Sequence, residues 1–271
     1  YKRQDLNLSV RARATPGFVG ADLENLVNEA AILAARRNKK SIGQSEFEEA
    51  IERVIAGPER KSRLINPEEK RIVAYHEAGH AVVMNVLPES DPVHKVSIIA
   101  RGMAGGYTLA LPQEDRTLMP RKKLLAEMVG LLGGRAAADI VFDDITSGAS
   151  NDLERVTQMA RTMVTRLGMS DQLGPMVYGQ KEELIFLGRE ISEQRDYSEA
   201  VAERIDQDVR RLVNEAYMED RRILTQYRQE MDAVANKLLA VETLTREEFE
   251  AIFPPPVPKT SGIPTLVPHN N

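Results

Sequence analysis

The stretch from Asn66 to Pro88 constrains this chain more than any other, because it carries its own start, its own stop and a helical stripe between them. Asn66 can cap free backbone amides, Pro67 suits the first helical position, and Glu68 and Glu69 favour the positive helix end. Ile72, Val73, Tyr75, Ala78, Gly79, Val82 and Val83 continue the pattern to about Leu87, where Pro88 ends it.

Around this helix the sequence predicts a mainly α-helical architecture with a small sheet inserted after it. Upstream, helices are expected over residues 22–37 and about 44–55, the second stopped by Gly57-Pro58. Two such short helices bury little alone, so this unit is expected to pack on a neighbour. Residues 58–66 read as a basic, polar linker. Downstream, Val93 to Ile99 and Gly105 to Leu111 read as strands joined by a Gly-rich turn over 102–106. Helices follow over about 120–141 and 151–167, the latter closed by Gly168, with a polar loop over 143–150 between them. Residues 198 to about 240 read as one long or one kinked amphipathic helix. The last 18 residues, from Pro254, hold six prolines and are expected to be disordered. No internal repeat is visible.

Composition excludes several function classes. The net charge of −5 provides no global field that would gather nucleic acid or an anionic membrane surface. Without cysteine the chain can form neither disulfides nor thiolate metal sites, so a transition metal must be held by His, Asp or Glu. No secretory signal is visible, and no stretch reaches the ~18 uncharged apolar residues of a spanning helix; residues 128–142 come nearest and are interrupted by Arg135 and Asp139. The segment as given is expected to be soluble. The start at Tyr1, with no initiator Met, points to a piece of something longer.

The long helix carries a motif with chemistry. His76-Glu77-Ala78-Gly79-His80 fits H-E-x-x-H, which places two imidazoles one turn apart on one helix face. Both can reach one zinc ion, whose fourth position is kept for water, and Glu77 beside the first ligand can act as general base on that water. The plainer alternative is a pair of partly buried helix histidines. Ala78 and Gly79 are small enough to let a second backbone approach the helix. A catalytic zinc needs a third protein ligand. The extended pattern ending in Gly and His would need them at 83 and 86, which are Val83 and Val86, so that class is excluded. Of the other histidines, His94 reads as a surface or supporting residue, and His269 lies in the tail. Two carboxylates remain open on local grounds: Asp139, otherwise a partner for Arg135 at i−4, and Asp152, otherwise a helix-start acid after the small residues Ser147, Gly148, Ala149 and Ser150.

Several segments together resemble the FtsH family of membrane-anchored, ATP-driven zinc proteases: residues 15–31 (TPGFVGADLENLVNEAA), 54–62 (VIAGPERKS), 74–83 (AYHEAGHAVV), 105–112 (GGYTLALP), 131–137 (LLGGRAA), 146–157 (TSGASNDLERVT) and 167–175 (LGMSDQLGP). They run in family order over about residues 12–252. The resemblance implies a helical AAA+ lid subdomain over 1–57, a mostly helical zincin-like metallopeptidase domain with a small β-sheet over 58–253, and a Pro-rich tail over 254–271. It implies His76, His80 and Asp152 as ligands of one zinc ion per chain and Glu77 as the base. Ala138, at a position often acidic in the family, cannot bind metal. The strand of Gly105, Gly106, Tyr107, Thr108 and Leu109 is implied as a sheet edge that pairs with substrate backbone.

The family resemblance further implies a homo-hexamer in which an ATPase ring feeds unfolded or membrane-derived polypeptide to the peptidase, with no nucleic-acid partner. The parent protein is expected at the membrane, with this part on the cytoplasmic side or the stroma or matrix side of an organelle. No G-x-x-x-x-G-K-[ST] loop occurs in the sequence. ATP and Mg2+ are therefore expected only through an ATPase core upstream of Tyr1, as is the membrane anchor, and this chain by itself is expected neither to bind ATP tightly nor to hydrolyse it. Two other functions compete. A catalytically silent assembly module would have no need of Glu77, and a zinc hydrolase of small peptides would have no need of the lid-like first 57 residues.

Overall fold

The computed structural model describes residues 15, 17–57, 66–101, 105–112, 118–179 and 196–256. The linker over 58–65, most of the 102–106 turn and all but the first three residues of the tail, His269 included, lie outside the described residues. Helices α1 (Gly20–Arg36) and α2 (Gln44–Ala56) are followed by α3 (Pro67–Val86), strands β1 (Val93–Ser97) and β2 (Tyr107–Ala110), α4 (Arg121–Phe142), and a 3-10 turn (Ser147–Ala149) that leads into α5 (Ser150–Thr165). Then come α6 (Glu199–Gln226), α7 (Arg228–Val241), β3 (Thr243–Thr245) and α8 (Arg246–Ile252).

Helix α3 begins as its sequence dictates. The Asn66 side chain accepts a hydrogen bond from the Glu68 amide at 3.1 Å, with Pro67 in the first turn. It then lies at the centre of the molecule against α4, α7 and the sheet, and Ala74, Ala78, Ala81, Val82 and Val83 are fully buried. The main core continues through Met128, Leu132, Val156, Met163, Ile205, Leu212, Leu238 and Phe249.

The sheet is antiparallel in the order β2-β1-β3. It has two strands where expected, with ends a residue or two shorter, and a third, β3, that the sequence did not announce. The run over 198–240 is two helices, broken at Tyr227 (φ −106°, ψ 35°). There α7 turns to pack on α3, while Tyr227 meets the Phe253 ring at 5.2 Å.

Helices α1 and α2 enclose a smaller core of Leu26, Ala30, Leu33, Ala50 and Ile51. Leu111, just past β2, packs on that core, so the unit does lean on a neighbour, namely the sheet.

Candidate active site

The site begins where α3 crosses α4. Gly79 and Gly133 meet at the crossing: a Cβ on Gly79 would stand 2.3 Å from the Gly133 carbonyl oxygen, and one on Gly133 would stand 2.9 Å from the Gly79 carbonyl. A Cβ on Gly134 would stand 2.3–2.4 Å from three atoms of the His76 ring. The absence of three side chains therefore lets the two backbones approach and gives His76 its place on the surface of α4. On the next turn, the His80 ring has Nδ1 2.8 Å from the Gly130 carbonyl oxygen. A carbonyl only accepts, so Nδ1 donates and Nε2 presents its lone pair to the centre.

Asp152 reaches the same point from the first turn of α5. Its Oδ2 lies 3.4 Å from His76 Nε2 and 3.5 Å from His80 Nε2, and the two Nε2 atoms are 3.1 Å apart. Ligands held ~2.0–2.1 Å from a tetrahedral ion stand roughly 3.3 Å from one another, so the three atoms are spaced as three corners of a zinc coordination shell. The donor set of two imidazole nitrogens and a carboxylate suits zinc, and among the described residues it is the one cluster so placed. With no metal bound, the same surroundings favour a proton on His80 Nε2, the atom that would otherwise offer its lone pair to a metal ion. Despite burial, His76 and His80 hold the Asp152 carboxyl well below the usual carboxylate range. Burial alone would lower His80, yet Asp152, Glu77 and the Gly130 carbonyl raise it to about 9.

Glu77 lies beside this cluster, 5% exposed. Its Oε2 accepts a hydrogen bond from the Thr108 hydroxyl at 2.9 Å, and the same hydroxyl lies 3.1 Å from the Glu77 carbonyl oxygen. A Cβ on Gly106 would stand 2.9 Å from Glu77 Oε1, so the chain entering β2 covers the carboxylate because it has no side chain there. Burial raises the Glu77 pKa, while His80, His76 and Thr108 oppose that rise. A buried carboxylate beside an imidazole pair is placed where it could accept a proton.

The structure brings together His76, His80 and Asp152, the three residues that the family resemblance implies as ligands; local grounds alone had left Asp139 open as well. Asp139 is engaged elsewhere, accepting from the Tyr217 hydroxyl at 2.6 Å and from Arg221, so its partners come from α6 rather than from Arg135. His94 is an exposed residue of β1. Tyr107, Thr108 and Leu109 lie on β2, an edge of the sheet, with Gly105 and Gly106 leading into it.

Three features escaped the sequence reading. One is the Gly130 carbonyl that fixes the His80 tautomer, and another is the Thr108 hydroxyl on Glu77. The third is a buried polar cluster in which Glu52 of α2 accepts from Tyr107 at 2.9 Å and pairs with Arg101 at 2.9 Å and Lys95 at 2.5 Å. The glycine pair at 133–134 is a signal that could have placed the Gly130–Gly134 stretch against α3. Nothing local signalled that Glu52 would be buried.

Comparison with known proteins places the chain in a family. The family model for peptidase family M41 matches residues 63–252, and that for the AAA+ lid domain matches residues 5–49. The chain is 56% identical over 266 residues to ATP-dependent zinc metalloprotease FtsH 1 of Thermomicrobium roseum, covering 97% of this chain and 41% of that protein. It is 55% identical over 251 residues to ATP-dependent zinc metalloprotease FtsH of Thermotoga maritima, covering 92% of this chain and 41% of the relative. For the FtsH of Kosmotoga olearia the identity is 57% over 249 residues, covering 92% and 39%. The chain thus spans about two fifths of the length of the curated relatives it matches. With the matched peptidase region enclosing both histidines, Glu77 and Asp152, the chain belongs to peptidase family M41.

Proposed function

We propose that this chain is the zinc-dependent endopeptidase part of an ATP-driven protease. The observation that carries this reading is the convergence of His76 Nε2, His80 Nε2 and Asp152 Oδ2 at tetrahedral spacings with Glu77 buried alongside. Zinc at that point would supply Lewis acidity and lower the pKa of a water molecule toward ~7. His80 is oriented by Gly130, and His76 by its seat on Gly134. Glu77 takes the proton of the attacking water on its carboxylate and delivers it to the nitrogen of the leaving amine. β2 binds the polypeptide by main-chain pairing along its outer edge, which has no strand partner among the described residues. Pairing of this kind does not depend on side chains, which suits a protease that degrades unfolded polypeptides.

In the whole protein we place residues 1–57 as the AAA+ lid, 58–253 as the peptidase domain and 254–271 as a tail. The separate small core of α1 and α2 and the lid match support the first boundary. The relatives' names describe ATP-dependent proteases, which supports an ATPase ring, here read as a homo-hexamer at a membrane, that feeds substrate to this site. Among the described residues no helix is long and apolar enough to cross a membrane.

Metal analysis together with cleavage of an unfolded casein-like substrate tests this reading. Glu77→Gln is expected to keep one zinc per chain and lose cleavage, and Asp152→Ala to lower the zinc content. Parental cleavage by Glu77→Gln would remove the general base from the scheme.

A further inference from the structure

Glu77 is held from the strand side by one group only among the described residues, and that group belongs to neither the metal cluster nor its helix. Strand periodicity explains how it gets there. Successive side chains of β2 point to opposite faces, so Thr108 faces α3 while Tyr107 faces α2. On the α3 side, the Thr108 hydroxyl donates to Glu77 Oε2. On the α2 side, the Tyr107 hydroxyl donates to Glu52 Oε2, the oxygen that also receives Arg101, and the Arg101 guanidinium lies 5.5 Å from the Tyr107 ring centroid. Arg101 is 3% exposed and Glu52 is buried, so this anchor is shielded from water. The register of β2 on β1, with Thr108 opposite Val96 and Tyr107 opposite Ser97, fixes both hydroxyls together.

We propose that Thr108 is a positioning residue for the Glu77 carboxylate, and that Tyr107, through Glu52, ties the strand that carries it to helix α2 of the lid-like unit. This rests on the reading of Glu77 as the general base. The hydroxyl selects one rotamer of Glu77 by a charge-assisted hydrogen bond, and the strand holds that hydroxyl at the required height. Movement of α2 away from the sheet would loosen β2 at Tyr107 and with it the donor to Glu77. The position of the lid-like unit would thereby set the competence of the peptidase base.

The test uses the zinc-loaded full chain with a short fluorogenic peptide that needs no unfolding, and hydrogen exchange at the β2 amides as a readout independent of activity. Thr108→Val removes the donor and keeps the shape. Its kcat is expected to fall roughly 10–100-fold, the scale of a misplaced catalytic group, with KM and zinc content unchanged. Thr108→Ser, which retains the hydroxyl, is expected to restore kcat to within about threefold of the parent, well inside that range. Tyr107→Phe is expected to lower kcat by a smaller factor and to speed exchange along β2. Parental kcat in Thr108→Val, or equal impairment in Thr108→Ser and Thr108→Val, overturns the positioning role. A rise in KM alone assigns Thr108 to substrate pairing instead and also overturns it. Unchanged exchange and unchanged kcat in Tyr107→Phe overturn the tie to α2. Glu77→Gln is measured alongside: if it cleaves at the parental rate, the proposed function itself fails, whereas an inactive Glu77→Gln beside a parental Thr108→Val defeats only the positioning role.

Discussion

The two sides of the site are built by different means. On the metal side, backbone meets backbone: α3 and α4 touch at Gly79 and Gly133, the His76 ring lies on Gly134, and a main-chain carbonyl orients His80. On the base side, a four-residue strand holds Glu77 through a single side-chain hydroxyl, and another hydroxyl anchors that strand to α2. The first arrangement has no slack, because a helix crossing either closes to contact or does not. The second can be released one hydrogen bond at a time. On the proposed mechanism the division fits the chemistry, since the ligands would have to stay fixed through every turnover, whereas a base set by a separate unit could be made conditional on that unit.

On this contrast, the largest losses are expected from adding single methyl groups to the metal side. Gly79→Ala would drive a Cβ to 2.3 Å from a backbone oxygen, which no side-chain rotation relieves. The helices would have to separate, at a cost of about 3 kcal/mol, the upper range for overpacked cores. Thermal unfolding should register this, and zinc binding should weaken with it because both histidines ride on the displaced helix. Gly134→Ala is expected to be second. Here the clash is with the His76 ring, so the ring moves and the helices need not. The expected outcome is a drop in zinc affinity of roughly 10–100-fold, the scale for losing a group that orients a metal ligand, with a smaller change in unfolding temperature. Competition with a chromogenic chelator measures it. Equal damage from both substitutions would mean that the crossing and the ligand seat are one structure rather than two.

The same contrast sorts what could be read from the sequence. Helix α3 was legible in full, since its cap, its first-turn proline, its stripe and its H-E-x-x-H motif all lie within 23 residues and depend on local geometry. The closeness of α3 and α4 was partly legible in Ala78 and Gly79; the 133–134 glycine pair on the facing helix was not used, though its missing side chains complete the contact. Choosing Asp152 over Asp139 was beyond local physics. Each carboxylate had a sound local explanation, and the real partner of Asp139, Arg221, lies 82 residues away on another helix. The break at Tyr227 carries no glycine or proline, and it follows from α7 packing back on α3. Strand β3 is three residues long, too short for a period to appear, and exists because Leu244 pairs with Val96 far up the chain. Glu52 is the plainest case. On α2 it reads as a solvated acid of an amphipathic helix, and only Arg101, Lys95 and Tyr107 arriving from the sheet make it a buried one.

On the base side the effects should be smaller and should spread from α2 toward Glu77. Glu52→Gln keeps the size of the side chain and an oxygen for the Tyr107 hydroxyl but removes the charge that compensates Arg101. The expected cost is about 1–3 kcal/mol, the penalty for a buried polar group left poorly paired. Because Glu52 links the two units, the loss should appear first as faster hydrogen exchange in both α2 and β2, ahead of global unfolding. A variant that destabilises α2 and leaves β2 exchange at the parental rate would separate the lid-like unit from the site.

The smallest effect should be confined to the α1–α2 unit and is a matter of pH. Glu46 is fully buried at the start of α2, where its carboxylate accepts from Lys39 at 2.7 Å, Arg37 at 2.8 Å and the Gly43 amide at 2.9 Å. Lys39 and then Arg37 hold its pKa down from 4.5 to about 2. A folded-state pKa below the unfolded value means that the ionised form stabilises the fold above pH ~4.5, and that this contribution fades as pH falls through that window toward about 2. Lys39 and Arg37 are both more than a third exposed, so solvent screens the pairs and the effect should be modest. Protection of the α1 and α2 amides, taken relative to the intrinsic exchange rate at each pH, is therefore expected to fall between pH ~4.5 and 2; α3 carries acid-sensitive pairs of its own, His76 and His80 with Asp152, so the reference is the Glu46→Gln variant. Glu46→Gln should flatten that acid dependence while leaving the exchange of α3 amides as it was. If the variant keeps the full acid dependence, another carboxylate controls the unit, and Glu49, which also pairs with Arg37, becomes the group to replace next.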